Sequence, residues 1–222
     1  MEEHIVKIIS IENVTHDVRR FRVEKPEDYS FVPGQATEVS VNAPGWKEEK
    51  RPFTFTCLNK EPYLEFTIKI YPSHNGVTNE LGKVSPGDEL IIRDVWGAIH
   101  YKGKGVFIAG GAGVTPFIAI FRDLSEKNEV SGNKLIFANK TKADIILEDE
   151  FRALLGDSFI NILSHEKSDD YFHGMISESF LRTSISDFSQ QFYICGPEPM
   201  IDAVGKHLTK LGAGENSIIV EL

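Results

Sequence analysis

Residues 106–124 read VFIAGGAGVTPFIAIFRDL: a short apolar run breaks into glycines and restarts as a helical pattern. Val106, Phe107, Ile108 and Ala109 read as a strand buried on both faces. Gly110, Gly111 and Gly113 allow a tight turn with exposed amide N–H groups. Thr115 followed by Pro116 predicts an N-cap with proline at the first helical position, and Phe117, Ile118, Ile120, Phe121 and Leu124 give the helix a core-facing side. A helix N-terminus behind a glycine turn attracts anions, so a phosphate is the expected guest. The pattern departs from G-x-G-x-x-G, because Pro116 stands at the third glycine and no acid follows about 20 residues on. An ordinary strand-turn-helix remains an alternative reading of this stretch alone.

Working outward, 222 residues are enough for two domains, each able to bury a core. A formal net charge of −9, without a lysine-arginine cluster, argues against a nucleic-acid partner. Cys57 and Cys195 are the only cysteines, which excludes an iron–sulfur cluster held by four cysteines in this chain and makes a disulfide framework unexpected. The seven histidines are scattered, and no spacing offers a metal site. No signal-peptide pattern and no apolar run of about 18 residues occurs, so a cytoplasmic protein off the membrane is expected.

On the N-terminal side, residues 4–93 show short apolar runs parted by turn signals at PEDYS, FVPGQ, NAPGW, NKEP and SPGDE, a β rhythm. In 64–70, Leu64, Phe66, Ile68 and Ile70 alternate with Glu65, Thr67 and Lys69, one set facing inward and the other toward solvent or ligand. About six strands, with a short helix at 77–81, predict a Greek-key antiparallel β-barrel. After Gly103 the period changes. Strands are expected at 105–109, 134–138, 159–163, 191–195 and 217–221, with helices at 115–127, 145–155, 177–183 and 197–211. Thr141 to Asp144 reads as a capping box. This is a doubly wound five-stranded parallel sheet, joined to the barrel by a linker at 97–105. The domains are therefore expected at 1–101 and 102–222. In strand order 3-2-1-4-5, the first and fourth strands lie side by side, so the turn at 110–113 should meet the turn at 196–200 at the ligand-binding end of the sheet.

In the barrel half, Arg51-Pro52-Phe53-Thr54 offers a phosphate partner, an aromatic for a flat ring and a hydroxyl for a ring edge. Lys69 and His74-Asn75-Gly76-Val77-Thr78 form a second patch, where Gly76 permits close backbone approach and the following helix presents amides to a phosphate. Loop packing is the alternative in each case.

Taken together, Arg51-Pro52-Phe53-Thr54, Lys69 with Gly76-Val77-Thr78, GGAGVTP and CGPEPM follow the order and spacing of the ferredoxin–NADP(+) reductase family, flavodoxin and cytochrome b5 reductases included, which the chain resembles over nearly its whole length. The FVPGQ turn is similar too. The resemblance implies a flavin-binding barrel followed by an NAD(P)-binding domain, with FAD favoured over FMN. It implies that Arg51 binds flavin phosphate, Phe53 stacks on the isoalloxazine, and Thr54 hydrogen-bonds N5. Pro52, Ile68, Lys69, Ile70, His74, Gly76, Val77 and Thr78 complete the flavin site. Gly111, Gly113, Thr115, Asn139, Lys140, Cys195, Gly196, Pro197 and Met200 form the nicotinamide nucleotide site, with Thr115 and Cys195 beside the nicotinamide. Thr54, Cys195 and Glu221 are the implied catalytic positions. Phe53 replaces the tyrosine of many members, and the chain ends Glu221-Leu222 where many finish with an aromatic.

Residues 137–151 resemble the NADH-using cytochrome b5 reductase branch, although Lys140 and Lys142 could receive the 2′-phosphate of NADPH. The expected activity is hydride transfer from NADH or NADPH to bound FAD, then electron transfer to a redox protein such as a ferredoxin, flavodoxin or oxygenase component. Arg19, Arg20, Arg22, Lys47, Lys50 and Arg93 are candidates for a basic docking patch. A free-flavin reductase and a non-catalytic nucleotide- or redox-sensing subunit are the alternatives.

Overall fold

The computed structural model describes residues 2–97 and 99–221, the last by its backbone alone. The chain divides into two compact units. One comprises the residues up to His100 together with Thr115–Asp123, and the other comprises Tyr101–Val114 and the residues from Leu124 onward.

The first unit carries β1 (His4–Asn13), β2 (Val18–Glu24), β3 (Ala36–Val41), β4 (Arg51–Thr54), β5 (Tyr63–Lys69), helix α1 (Val77–Leu81) and β6 (Glu89–Trp96). The strands pair antiparallel in the order β4-β3-β6-β1-β2-β5. Phe55, just past β4, bridges Phe66 of β5 and brings the two ends of the sheet together at that point, while β4 itself keeps β3 as its one ladder partner among the described residues. Inward residues of alternating strands fill the barrel, among them Phe21, Val39, Phe55, Leu64, Phe66, Leu90 and Ile92. The Phe31 and Phe55 rings stack at 4.2 Å between centroids. The other face of β5 departs from the sequence reading. Glu65 and Thr67 are 2 % and 5 % exposed: Arg22 of β2 and Arg122, from the helix at Thr115–Glu126, bind the Glu65 carboxylate, and the Thr56 hydroxyl lies against that of Thr67.

The second unit carries β7 (Gly105–Gly110), β8 (Lys134–Asn139), β9 (Phe159–Leu163), β10 (Phe172–His173), β11 (Gln191–Cys195) and β12 (Ile218–Glu221). They are parallel, in the order β10-β9-β8-β7-β11-β12. The expected order 3-2-1-4-5 is present, and β10 adds a sixth strand outside β9. Two residues are too few to show an alternation, so nothing in the sequence announces it.

The helices are α2 (Thr115–Glu126), α3 (Glu148–Leu155), α4 (Glu178–Ser184) and α5 (Glu198–Lys210). Two starts differ from expectation. Thr115 is already helical, because a 3-10 turn over Gly111–Val114 runs straight into α2. The capping box of Thr141 and Asp144 forms, but it caps a 3-10 turn at Lys142–Asp144. Leu147, at φ 52°, then breaks the chain before α3 begins. The Tyr193 hydroxyl accepts from Lys102 N–H at 2.9 Å and donates to the Gly103 carbonyl at 2.8 Å, pinning the segment that leads into β7. Among the described residues no helix is long and apolar enough to cross a membrane.

Candidate functional site

In the first unit, β4 is held on one side only, by β3, with Phe53 opposite Thr37 and Thr54 opposite Ala36. Arg51 and Pro52 are exposed, and Phe53 and Thr54 are half-buried. Phe53 rests partly against the barrel core. The Arg51 guanidinium makes one hydrogen bond, from Nη1 to the Lys50 carbonyl at 2.7 Å, and no carboxylate pairs with it among the described residues. Lys69 pairs with Asp17 at 2.7 Å, and Ile70 N–H donates to the Asp17 carbonyl, so this lysine serves the barrel in the first instance. The exposed His74 ring stacks on Tyr71 at 5.2 Å, which accounts for its place in the loop.

Gly76 caps α1 with φ −147° and ψ 178°, and no side chain caps the helix. An alanine could adopt that backbone, and a Cβ built there meets nothing within 4 Å. Steric packing therefore gives no reason for a glycine at 76, and what the fold itself gains there is limited to glycine's modest advantage as an N-cap. An arginine engaged only by a carbonyl and a helix start with open space above it fit a phosphate-bearing flavin.

In the second unit, Gly110 at the end of β7 and Cys195 at the end of β11 belong to adjacent parallel strands. A Cβ at Gly113 would lie 2.3 Å from the Cys195 carbonyl oxygen and 2.6 Å from Gly196 Cα. A Cβ at Gly110 would strike Met200 Sδ at 2.6 Å, and one at Gly196 would meet Met200 Cε at 2.6 Å. The two glycine turns thus touch, and these three glycines exist to let backbone and Met200 meet. Gly111 differs: its φ is +52° and its Cβ direction is open. Pro197 is the N-cap of α5. Asn139, at the end of β8, is 8 % exposed with neither side-chain Oδ1 nor Nδ2 hydrogen-bonded, an orphan amide where a polar ligand group would satisfy it. Thr115 belongs to the first unit and Cys195 to the second. The Glu221 side chain lies outside the described residues.

Beyond β8, Lys140 is exposed. Lys142 stands over the Tyr171 ring at 5.6 Å, and its amide donates to the Glu166 carboxylate at 2.8 Å. The candidate docking cations are largely engaged within their own unit: Arg19 with the Gly82 carbonyl, Arg20 with Glu12, Arg22 with Glu65, and Lys50 with Glu38. Arg93, only 3 % exposed, binds Glu3, Ser40 and the Lys47 carbonyl. Lys47 is exposed, and its carbonyl accepts from Arg93.

Sequence reasoning missed Glu65, Thr56 and Arg122. Glu65 accepts from Arg122, Arg22 and Thr56 at 2.8, 3.1 and 3.0 Å. Burial acts to raise its pKa, but the charge and hydrogen bond of Arg122, with those of Arg22 and Thr56, outweigh it and hold the carboxyl below its ordinary value. Burial pushes the Cys57 thiol up to about 12. The alternation placed Glu65 on the outer face of β5; no local signal says that a helix 57 residues away would cover it.

An antiparallel barrel followed by a doubly wound parallel sheet whose two glycine turns meet is the architecture of a two-domain flavin- and nicotinamide-binding oxidoreductase. The family models agree: an oxidoreductase FAD-binding domain matches residues 5–101, and an oxidoreductase NAD-binding domain matches residues 107–206. The reductase component of propane 2-monooxygenase from Rhodococcus jostii is 28 % identical over 97 % of this chain and 62 % of its own length. NADH-cytochrome b5 reductase 2 from Mycosarcoma maydis is 29 % identical over 92 % of this chain and 65 % of its own. A crystal structure of a ferredoxin NADP+ reductase from Neisseria gonorrhoeae, with FAD and NADP bound, shares the fold at TM-score 0.86 and 18 % identity, covering 100 % of this chain and 98 % of that one. The chain belongs to the ferredoxin–NADP(+) reductase family. It spans a little over three-fifths of the length of these two curated relatives.

Proposed function

We propose that this chain draws hydride from NADH through FAD and hands the electrons to a redox protein, as the reductase part of an oxygenase, ferredoxin or flavodoxin system. FAD, when bound, supplies a two-electron acceptor for the nicotinamide that can pass electrons onward singly. The chain's residues bind, orient and exclude water. Arg51 pairs with flavin phosphate, and the Gly76-Val77-Thr78 amides take the pyrophosphate. Phe53 lies on the ring, the Thr54 hydroxyl meets its N5 edge, and the backbone at Ile68, Lys69 and Ile70 lines its rim, with Pro52 stiffening β4. Gly111, Thr115, Pro197 and Met200 shape the nicotinamide nucleotide site, with Gly113 and Gly196 keeping its two turns together and Cys195 at the reacting carbon. Asn139 and Lys140 serve the adenosine end. Residues 1–101 form the flavin domain and 102–222 the nucleotide domain.

The observation that carries this reading is the pair Arg51 and Gly76, which the barrel's own packing leaves unexplained. NADH is favoured over NADPH because Lys142 is already engaged with Tyr171 and lies beside the Glu166 carboxylate, which would repel a 2′-phosphate. Steady-state rates decide both points. NADH should be used with the higher kcat/KM, and a ferredoxin should be reduced faster than free FMN at equal concentration. A strong NADPH preference would overturn the nucleotide assignment, and reduction of free flavin alone would replace the protein acceptor.

A further inference from the structure

The cluster around the buried Glu65 carboxylate, on the outer face of the barrel seam, is more elaborate than closure of the sheet requires. Oε1 of Glu65 accepts from Arg122 Nη1 at 2.8 Å and from Thr56 Oγ1 at 3.0 Å, while Oε2 accepts from Arg22 Nε at 3.1 Å, with Arg20 Nε 4.0 Å away. Arg122 Nη1 also donates to the Thr56 carbonyl at 2.6 Å. Thr56 N–H donates to the Glu65 carbonyl at 2.8 Å, and the Thr56 and Thr67 hydroxyls lie 3.2 Å apart. Every polar group of Thr56, main chain and side chain, is thus occupied.

The Glu65 carboxylate is 2 % exposed while its arginines are half-buried, and taking a carboxylate out of water costs free energy that an apolar side chain of equal volume would not, so closure alone does not account for this cluster. Its geometry indicates what it holds. Strand alternation puts Thr54 and Thr56 on one face, with Phe55 between them turned into the core. The seam between β4 and β5 is bridged at Phe55 and Phe66 rather than by a ladder, so the strand carrying Thr54 has β3 on one side and this cluster on the other.

We propose that Glu65 and Arg122 are positioning residues for the flavin ring: acting through Thr56, they fix where the Thr54 hydroxyl sits. The inference rests on the functional reading above, in which Thr54 meets the ring edge. Because the carboxylate, the guanidinium and the threonine act as one unit, removing any one releases the same strand segment, and removing two costs little more than removing one.

The test compares Glu65→Gln, Arg122→Met and their double variant with Thr56→Val and Thr56→Ser. It measures FAD affinity by fluorescence quenching, the potential of the bound flavin, and amide exchange over residues 54–56 in the flavin-free protein. The expected result is an FAD Kd raised by about tenfold or more in Glu65→Gln, Arg122→Met and Thr56→Val, no further rise in the double variant, and retention in Thr56→Ser, which keeps the hydroxyl. Exchange over 54–56 should rise in the same three single variants before any flavin is added, and the bound-flavin potential should shift in them. Thr56→Val preserves side-chain shape, so it decides the matter if Glu65→Gln fails to fold. Folded Glu65→Gln and Thr56→Val proteins with parental FAD affinity, potential and exchange would overturn the proposal. Arg51→Ala separates the two readings. A parent that binds FAD, is weakened by Arg51→Ala and is indifferent to Glu65→Gln overturns this inference alone, whereas a parent that binds no FAD overturns the functional reading and this inference with it.

Discussion

Gly76→Ala separates what the fold needs from what a ligand needs. At φ −147° and ψ 178° the alanine backbone is unstrained, and its methyl meets no protein atom within 4 Å. Two opposing terms act on the flavin-free protein. Replacing glycine by alanine at a compatible site stabilises by about 0.4–1 kcal/mol through the unfolded chain. Alanine is a poorer N-cap than glycine by a similar amount, roughly 0.5–1 kcal/mol. The net change in stability should therefore lie within about 0.5 kcal/mol of zero. Flavin binding should respond quite differently. A methyl over the helix start keeps a phosphate oxygen from the amides of residues 76–78, and losing one charge-assisted hydrogen bond costs about 1.5–3 kcal/mol, or roughly ten- to a hundredfold in Kd. Urea unfolding of the flavin-stripped protein and calorimetric titration with FAD measure the two quantities separately. An unchanged Kd would refute the assignment of Gly76 to a phosphate. A large loss of stability would show that the glycine serves the fold after all.

Gly113→Ala should do the reverse, destabilising by about 1–3 kcal/mol because the added methyl strikes the Cys195 carbonyl and Gly196 backbone, neither of which can rotate away; a denaturation midpoint equal to the parent's would show that the turns can part freely. Thiol labelling at about pH 8 should modify Cys195, which is partly exposed, and spare Cys57, whose pKa of about 12 and burial keep it protonated until the protein is unfolded; two fast equivalents in the native state would contradict this. Glu65, held below its ordinary 4.5 in the folded state, contributes stability that is complete above the unfolded-state pKa and is lost as pH falls through the lower folded value. The urea midpoint should accordingly drop on acidification below about pH 4, and Glu65→Gln, lower throughout, should show a shallower acid decline; identical slopes would remove Glu65 from the acid limb.

Much of this was legible because the signals were local. The alternation of Leu64, Phe66 and Ile68, the helix at Val77–Leu81 and the strand order around Gly105–Gly110 follow from periods that a few neighbouring residues define. The contact of the two glycine turns also followed from topology, since parallel strands in that order put residues 109 and 195, each just before its turn, side by side. What escaped depends on distant partners. Glu65 looked as if it faced solvent or ligand because its cover, Arg122, arrives from a helix on the far side of the glycine turn. Arg20, Arg22 and Arg93 looked like a docking surface because a sequence does not display the carboxylates and carbonyls that occupy them. Leu147 ended the run from Thr141 because a left-handed residue with an ordinary side chain leaves no local mark.

The central claim is that the barrel's phosphate cradle and the sheet's glycine turns serve one electron-transfer reaction. An anaerobic titration of the FAD-loaded protein with NADH, followed through the visible flavin absorbance, tests it most directly. Bleaching of the flavin bands at one equivalent of NADH is the predicted result. Retained absorbance with FAD demonstrably bound, under both NADH and NADPH, would contradict it.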